Sequence, residues 1–367
     1  MFKMYSLKDY RFRLCFMVIA ITVIGIFVVG SANESVQDRQ IQGMILGICA
    51  MLFMSVFDYS ILLRLTWPMY LVNIALLGYV IVGGTDSHGA SRWINIAGIQ
   101  FQPSELSKIV IILFFSAFFM KYQEQISTFR ALAVTGVLIL LPLGLTLKQP
   151  DLSTTIATTL IFITLLFIAG ISYKIIRGAA AVCMPAFIVL LYLIMQPDQT
   201  IIHSYQLNRI LAWRYPQKYP DLAYQQQNSI MAIGSGQLWG KGLNNENFDS
   251  VKNGNFISEP QTDFIFSVAG EEMGFVGGAV IIGLLMLIAL ECVLIGRRAK
   301  DLAGRLICCG MAAWIGFQTF VNIGVTTGLL PNTGLPLPFV SYGLTSLVSL
   351  YIGIGIVLNV GLQPKKY

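Results

Sequence analysis

Ten stretches of this chain are nearly free of charge and about as long as a bilayer is thick. They lie near residues 13–31, 41–57, 65–83, 103–121, 131–148, 152–170, 175–195, 270–295, 306–330 and 341–361. A helix needs about 20 mostly apolar residues to cross hydrocarbon. Lipid offers no partner to backbone N–H and C=O groups, so continuous apolar runs of this length must satisfy them internally, as helices. The expectation is an all-α polytopic membrane protein of about ten spans. Composition agrees: the 367 residues are 56% hydrophobic and 11% charged, against about 25% charged in soluble domains. The first run follows Lys3, Lys8 and Arg11, as in a signal peptide. It is longer than the about 7–15 apolar residues of such a peptide, so a retained anchor is expected.

Orientation follows from the connections. With the N-terminus inside, most of the 24 Lys and Arg residues fall in internal segments, as the positive-inside rule requires. Both termini are then cytoplasmic. This also accounts for the net charge of +6 without a nucleic-acid partner. The six cysteines all sit in apolar runs and read as small hydrophobes rather than a disulfide or metal set. The chain reads as one integral membrane domain, 1–367, with one long external loop, 196–262, between spans seven and eight. That loop carries Tyr205, Trp213, Tyr215, Tyr219, Tyr224 and Trp239. It is too aromatic for a disordered linker, and short helices over the external mouth are expected.

Ionisable groups inside spans point to function, and three groups occur here. In PSELSK, Glu105 and Lys108 stand at i and i+3 at the start of the fourth span, close enough to pair. A helix-stitching ion pair is the structural alternative. In KQPDLS, Lys148 and Asp151 flank a proline between two spans. Asp151 capping the sixth span is the alternative there. In SEPQTDFIFSVAGEEMGF, Asp263, Glu271 and Glu272 precede the eighth span. One helix from Asp263 to Ile295 would be roughly 50 Å long at 1.5 Å per residue, against a core of about 30 Å. Its first turns would overhang the lipid or face a wet cavity, with Thr262 or Asp263 as cap. A fourth feature, GLLPNTGLPLPFVSYGLTSL, residues 328–347, interrupts an apolar region with prolines and glycines. Backbone of that kind at membrane depth must be buried by protein or line a cavity, so a re-entrant loop is expected. All four features fall in the external half. They suggest a polar cavity open to the outside, suited to a lipid-borne anionic substrate. An enzyme and a transporter both fit that description.

These same stretches carry a resemblance. SRWINIAGIQFQPSELSKI (91–109), KQPDLSTTI (148–156), SIMAIGSGQLWGKGL (229–243), SEPQTDFIFSVAGEEMGFVG (258–277) and NIGVTTGLLPNTGLPLPFVSYGLTSL (322–347) resemble, in order, the motifs of the SEDS family (shape, elongation, division and sporulation). Two positions depart from it. Leu344 stands where the family's SYGGS has its second glycine, and Ser153 where QPDLGT has glycine. AIGSG followed by GKG, and the short terminal tails, are more similar to the elongation subgroup than to the division or sporulation members.

The resemblance implies a peptidoglycan glycosyltransferase that polymerises lipid II at the outer membrane face. The implied partners are a class B penicillin-binding protein and the elongation or division machinery. It implies Asp263 as general base, favoured in its ionised form by a helix N-terminus. Lys108 and Lys148 on the buried side, and Arg92 and Arg209 on the loop side, are candidates to face the leaving pyrophosphate. Glu105, Asp151, Trp93 and Ser341 complete the implied cavity. Glu271 and Glu272 would organise it or hold a divalent cation, Mg2+ or Mn2+, through oxygen ligands. The rival readings are a lipid II flippase, which needs polar groups through the full depth, and a non-catalytic scaffold.

Overall fold

A computed structural model describes residues 10–87, 90–96, 99–194, 204–244 and 256–363. The expected Lys3, Lys8, Lys365 and Lys366 lie outside the described residues, as does part of the long loop. Eight helices among the described residues are long and apolar enough to cross a membrane. They are α1 (Phe12–Ala32), α2 (Gln37–Val56), α4 (Thr66–Gly83), α5 (Pro103–Lys121), α6 (Phe129–Lys148), α11 (Ile265–Arg297), α12 (Leu302–Thr326) and α13 (Leu344–Gly361). Two further apolar helices, α7 (Leu152–Ile168) and α8 (Tyr173–Ile194), stand at the sixth and seventh expected positions. A short helix, α3 (Tyr59–Arg64), turns the chain between α2 and α4.

The centre of the bundle is α5. Its face from Ile109 to Phe115 is continuously buried, an all-round apolar pattern that marks a helix enclosed by others. It packs against α4, α7, α12 and α13, and α13 lies along α2. The lipid-facing helices keep large apolar side chains on the outside, among them Phe16 of α1, Leu140 of α6 and Phe275 of α11.

Three features at the end assigned to the outside position the site. The connection before α5 is a three-stranded antiparallel sheet, β1 (Thr85–Ser87), β2 (Ala90–Ile96) and β3 (Ile99–Phe101), in the order β1-β2-β3. It was not expected; only Ile94 and Ile96, on either side of Asn95, carry the two-residue period of a strand. The described part of the long loop forms α9 (Ser204–Arg214) and α10 (Pro220–Ser235), in keeping with its aromatic content. Both are fastened to the end of α12: Trp213 Nε1 donates to Gly328 O at 2.8 Å, and Ser229 Oγ to Thr326 O at 2.8 Å.

The third feature is the non-helical run from Pro331 to Gly343. It dips into the bundle, so that a β-carbon on Gly25 of α1 would stand 2.8 Å from Val340 Cα. Gly25 is ~20 Å along α1 from its start at 1.5 Å per residue. Phe339, with φ 63, is held there edge-on to Tyr351 at 5.8 Å between centroids. The run is a re-entrant loop buried by protein, as bilayer physics demands.

The expected straight overhang at the start of α11 is not found. The helix is broken at Gly274, with φ 64 and ψ −164, a backbone region open essentially to glycine alone. Before the break, Phe264 to Glu272 are all buried; beyond it the lipid-facing side begins at Phe275, 71% exposed. The loop after α10 bridges the break with backbone hydrogen bonds. Lys241 N and Gly242 N donate to Glu271 O and Glu272 O at 3.0 Å each, and Phe275 N donates to Gln237 O at 2.8 Å. The first segment is therefore enclosed by protein and set at an angle to the rest of α11. Its cap position is Phe264, and no side chain caps it. Neither Thr262 nor Asp263 plays the expected capping role.

Candidate active site

The turn before α11 is gripped by three consecutive carbonyls. Tyr342 N donates to Gln261 O at 2.9 Å, Ser341 Oγ to Thr262 O at 2.6 Å, and Asn322 Nδ2 to Asp263 O at 2.8 Å. Two of these donors belong to the re-entrant loop and its end, the third to α12. The loop is gripped in turn. Asn322 Nδ2 also donates to Leu335 O at 2.7 Å, Gln318 Nε2 to Pro336 O at 2.8 Å, and Arg209 Nη1 to Asn332 O at 3.2 Å. Ser153, the residue that departs from the family glycine, donates its hydroxyl to Thr333 O. Backbone without secondary structure needs its polar groups satisfied in some such way.

Asp263 itself is partly exposed. Its carboxylate faces Gly334, whose φ is 78: a β-carbon there would stand 3.2 Å from Asp263 Oδ2 and 3.7 Å from Arg209 Nη1. Loss of water around the carboxyl pushes its pKa up to about 6; Arg209 and Arg92 pull it down, while Glu259 and Asp151 push it up. The direction is opposite to the ionisation-favouring helix start expected from sequence, because loss of water is the largest influence on the carboxyl. The same field brings Arg92, Arg209 and Asp151 into the neighbourhood of Asp263.

Arg92 lies on β2 and reaches the α6–α7 turn, donating to Gln149 O at 3.2 Å and to Pro150 O. Trp93, next to it, is half-buried and pairs across the sheet with Thr85. Asp151 is buried and caps α7: Oδ1 accepts from Thr154 N at 3.1 Å and Oδ2 from Thr154 Oγ1 at 2.8 Å. Its structural role is thus the cap that its spacing allowed. Lys148 departs from expectation. It ends α6 and is exposed rather than on the buried side.

Glu105 and Lys108 are both buried and pair at 2.7 Å. Lys108 also donates to Gln318 Oε1 at 3.1 Å and lies 4.6 Å over the Trp314 ring. Glu105 Oε2, Thr319 Oγ1, Asn332 Oδ1 and Thr333 Oγ1 are buried without a hydrogen-bond partner among the described residues. Buried oxygens of this kind cost stability unless something donates to them, and hydroxyl-rich substrates or waters are suitable donors.

Glu271 and Glu272 sit apart from this cluster, at the α11 break. Lys241 Nζ contacts Glu271 Oε1 at 2.7 Å, and Ser31 Oγ of α1 donates to Glu272 Oε1 at 2.5 Å. Both acids fasten α1, α11 and the loop after α10 together. Among the described residues no group of three His, Cys, Asp or Glu residues suited to a metal occurs; one oxygen each of Glu271 and Glu272 is engaged by Lys241 and Ser31, and Asp151 by Thr154.

The α12 residues that tie these parts together were not among the sequence candidates. Trp314, Gln318 and Asn322 recur at intervals of four and so share one helix face. Two amides on one stripe of an apolar span was the available signal.

The family model described as "Cell cycle protein" (FtsW, RodA, SpoVE) matches residues 10–366. A probable peptidoglycan glycosyltransferase FtsW of Trichlorobacter lovleyi is 35% identical over 380 residues, covering 99% of this chain and 96% of that protein. The peptidoglycan glycosyltransferase MrdB of Escherichia coli is 33% identical over 351 residues, covering 95% and 92%. A solved structure on the coordination of polymerization and crosslinking by a peptidoglycan synthase complex has a TM-score of 0.78 and 29% identity, covering 96% of this chain and 97% of that one. The crystal structure of the rod shape determining protein RodA of Thermus thermophilus has a TM-score of 0.70 and 28% identity, covering 96% of each.

Proposed function

The chain belongs to the cell cycle protein family of FtsW, RodA and SpoVE, and from that membership we propose that it polymerises lipid II at the outer face of the bacterial cytoplasmic membrane, with Asp263 as general base. Its class is that of a multi-pass membrane peptidoglycan glycosyltransferase. The finer assignment rests on the site.

In the proposed step the acceptor sugar hydroxyl gives its proton to the Asp263 carboxylate. The freed oxygen bonds to the donor's anomeric carbon as the bond from that carbon to pyrophosphate breaks. Undecaprenyl pyrophosphate leaves. A base performs best when its pKa lies near the working pH, and an acid raised to about 6 is still mostly ionised at neutral pH while holding a proton better than a free aspartate. Arg209 and Arg92, both acting on Asp263 through space, stand where negative charge on the leaving pyrophosphate needs cations. Lys108, tied to Glu105 and Gln318, would serve the buried side of the site, with Ser341 holding the Asp263 turn through Thr262 O and Trp93 beside Arg92 on β2. No step is assigned to a metal.

The observation that carries this reading is the placement of Asp263: a desolvated carboxylate facing a glycine, beside an arginine, on a turn with three consecutive carbonyls held. An elongation role is supported by AIGSG followed by GKG at 232–242. The likeness to a peptidoglycan synthase complex supports a class B penicillin-binding protein as partner. The purified chain with such a partner, lipid II and a divalent cation is expected to make polymer resolvable on a gel. Asp263→Asn should make none while still inserting and binding the partner. Normal polymer from Asp263→Asn would remove the base assignment. Restoration of rod shape, rather than division, in a depleted strain tests the elongation role.

A further inference from the structure

We propose that Gln318 and Asn322 of α12 act as positioning residues that couple the buried Glu105–Lys108 pair to the Asp263 turn through one short piece of the re-entrant loop. The proposal rests on the reading of Asp263 as the base.

Both amides are fully enclosed, Gln318 at 0% and Asn322 at 1% exposure. They stand one turn apart on the same face of α12. A carboxamide nitrogen has two hydrogens, and Asn322 spends both on backbone carbonyls, Asp263 O at 2.8 Å and Leu335 O at 2.7 Å. Leu335 follows Gly334, the residue that faces the Asp263 carboxylate. One side chain thus fixes the separation between the segment carrying the carboxylate and the backbone it faces. The opposite flip of the amide would set its oxygen against two carbonyl oxygens, so the geometry has one solution.

Gln318 holds the neighbouring peptide. Its Nε2 donates to Pro336 O at 2.8 Å, and its Oε1 accepts from Lys108 Nζ at 3.1 Å and from Trp314 Nε1 at 2.7 Å. Movement of the Lys108 ammonium therefore reaches Asp263 through Gln318, the Leu335–Pro336 backbone and Asn322. Asn322 Oδ1 is buried and has no hydrogen-bond partner among the described residues. An apolar residue of the same shape would remove that orphan but leave the Asp263 and Leu335 carbonyls without their shared donor. The retained donor pair points to geometry as the reason for the amide.

The test is steady-state polymerisation by full-length protein with its partner, across pH. Asn322→Leu keeps the volume and removes both donors; Asn322→Ala is the second variant should leucine disturb packing. Each is expected to lower kcat about 10- to 100-fold with KM for lipid II within about twofold, the split typical of lost positioning. The pH midpoint of kcat should also move, because the groups acting on Asp263, namely Arg209, Glu259, Arg92 and Asp151, would face a displaced carboxylate. Gln318→Met should show the same split, and the double variant should fall no further than the worse single one, because both act through one loop segment. Unchanged kcat and pH midpoint, with only a lowered melting temperature, would reduce both amides to structural roles and overturn the proposal. Additive losses would overturn the coupling. If Asp263→Asn is inactive while both amide variants stay normal, only this proposal fails; if Asp263→Asn polymerises normally, the base reading fails instead.

Discussion

Gly334 and Asp263 face each other so closely that a single added methyl at Gly334 would sit 3.2 Å from the Asp263 carboxylate oxygen. The glycine is required twice over: for that approach, and for its φ of 78. Gly334→Ala is therefore expected to cost about 1–3 kcal/mol of stability from backbone strain. Polymerisation should fall more than tenfold, because a misplacement of about 1 Å can cost about 100-fold in rate. Thermal melts and gel assays on the same preparation check both. A variant with full activity would separate Gly334 from the reacting geometry.

The rate should rise with pH and level off above about 6, since the base works only when ionised and Asp263 is raised to about 6. Arg209 lowers this value and Glu259 raises it. Arg209→Gln should accordingly shift the midpoint to higher pH, and Glu259→Gln to lower pH. Single-turnover rates at constant ionic strength read the midpoint directly. A shift of Arg209→Gln towards lower pH would contradict the assigned field.

Asp263 also opposes folding. Its folded pKa lies above the ordinary 3.8, so the native state binds the proton more tightly than the unfolded chain. The destabilisation is absent below about pH 4, grows between there and about 6, and is complete above. Asp263→Asn should then melt at or above the wild-type temperature at pH 7.5, with the difference closing by about pH 4.5. A melting temperature lowered at pH 7.5 would mean that the carboxylate holds the turn together.

The Glu105–Lys108 pair, buried at 2% and 0% exposure, invites a double-variant cycle. Lys108→Met leaves a carboxylate buried without its cation and should cost about 3–5 kcal/mol. Glu105→Gln combined with Lys108→Met should recover much of that stability without recovering polymerisation. A double variant as unstable as Lys108→Met alone would show that Gln318 and Trp314, rather than Glu105, are the partners that matter to Lys108.

What sequence made legible was set by hydropathy and by local spacing. The apolar runs located α1, α2, α4 to α8 and α11 to α13, because bilayer thickness dictates their length. The three-residue spacing of Glu105 and Lys108 foretold their contact, and the proline–glycine pattern of 328–347 foretold a buried irregular loop. The break at Gly274 was not legible, because an isolated glycine in an apolar run usually continues the helix; what opens it is the pairing of 237–242 with 271–276, contacts fixed by tertiary folding. Lys148 differs for another reason: it ends α6 on the exposed side of the helix, although the motif it belongs to implies a buried place. The upward shift of Asp263 is not legible in sequence because it comes from loss of water on tertiary packing, and the charges that modulate it, Arg209, Arg92 and Asp151, are remote in sequence.

The division of α11 at Gly274 also bears on how the protein meets membranes of unequal thickness. Below the break, Phe275–Arg297 measures ~34 Å at 1.5 Å per residue, close to one hydrocarbon core of about 30 Å. Hydrophobic mismatch is met by tilt, and tilt of this lower rod can be taken up at a glycine. The segment carrying Asp263, clamped to α12 and to the re-entrant loop, need not follow. The brace that such a tilt would load is the 237–242 loop, hydrogen-bonded to α11 on both sides of the glycine.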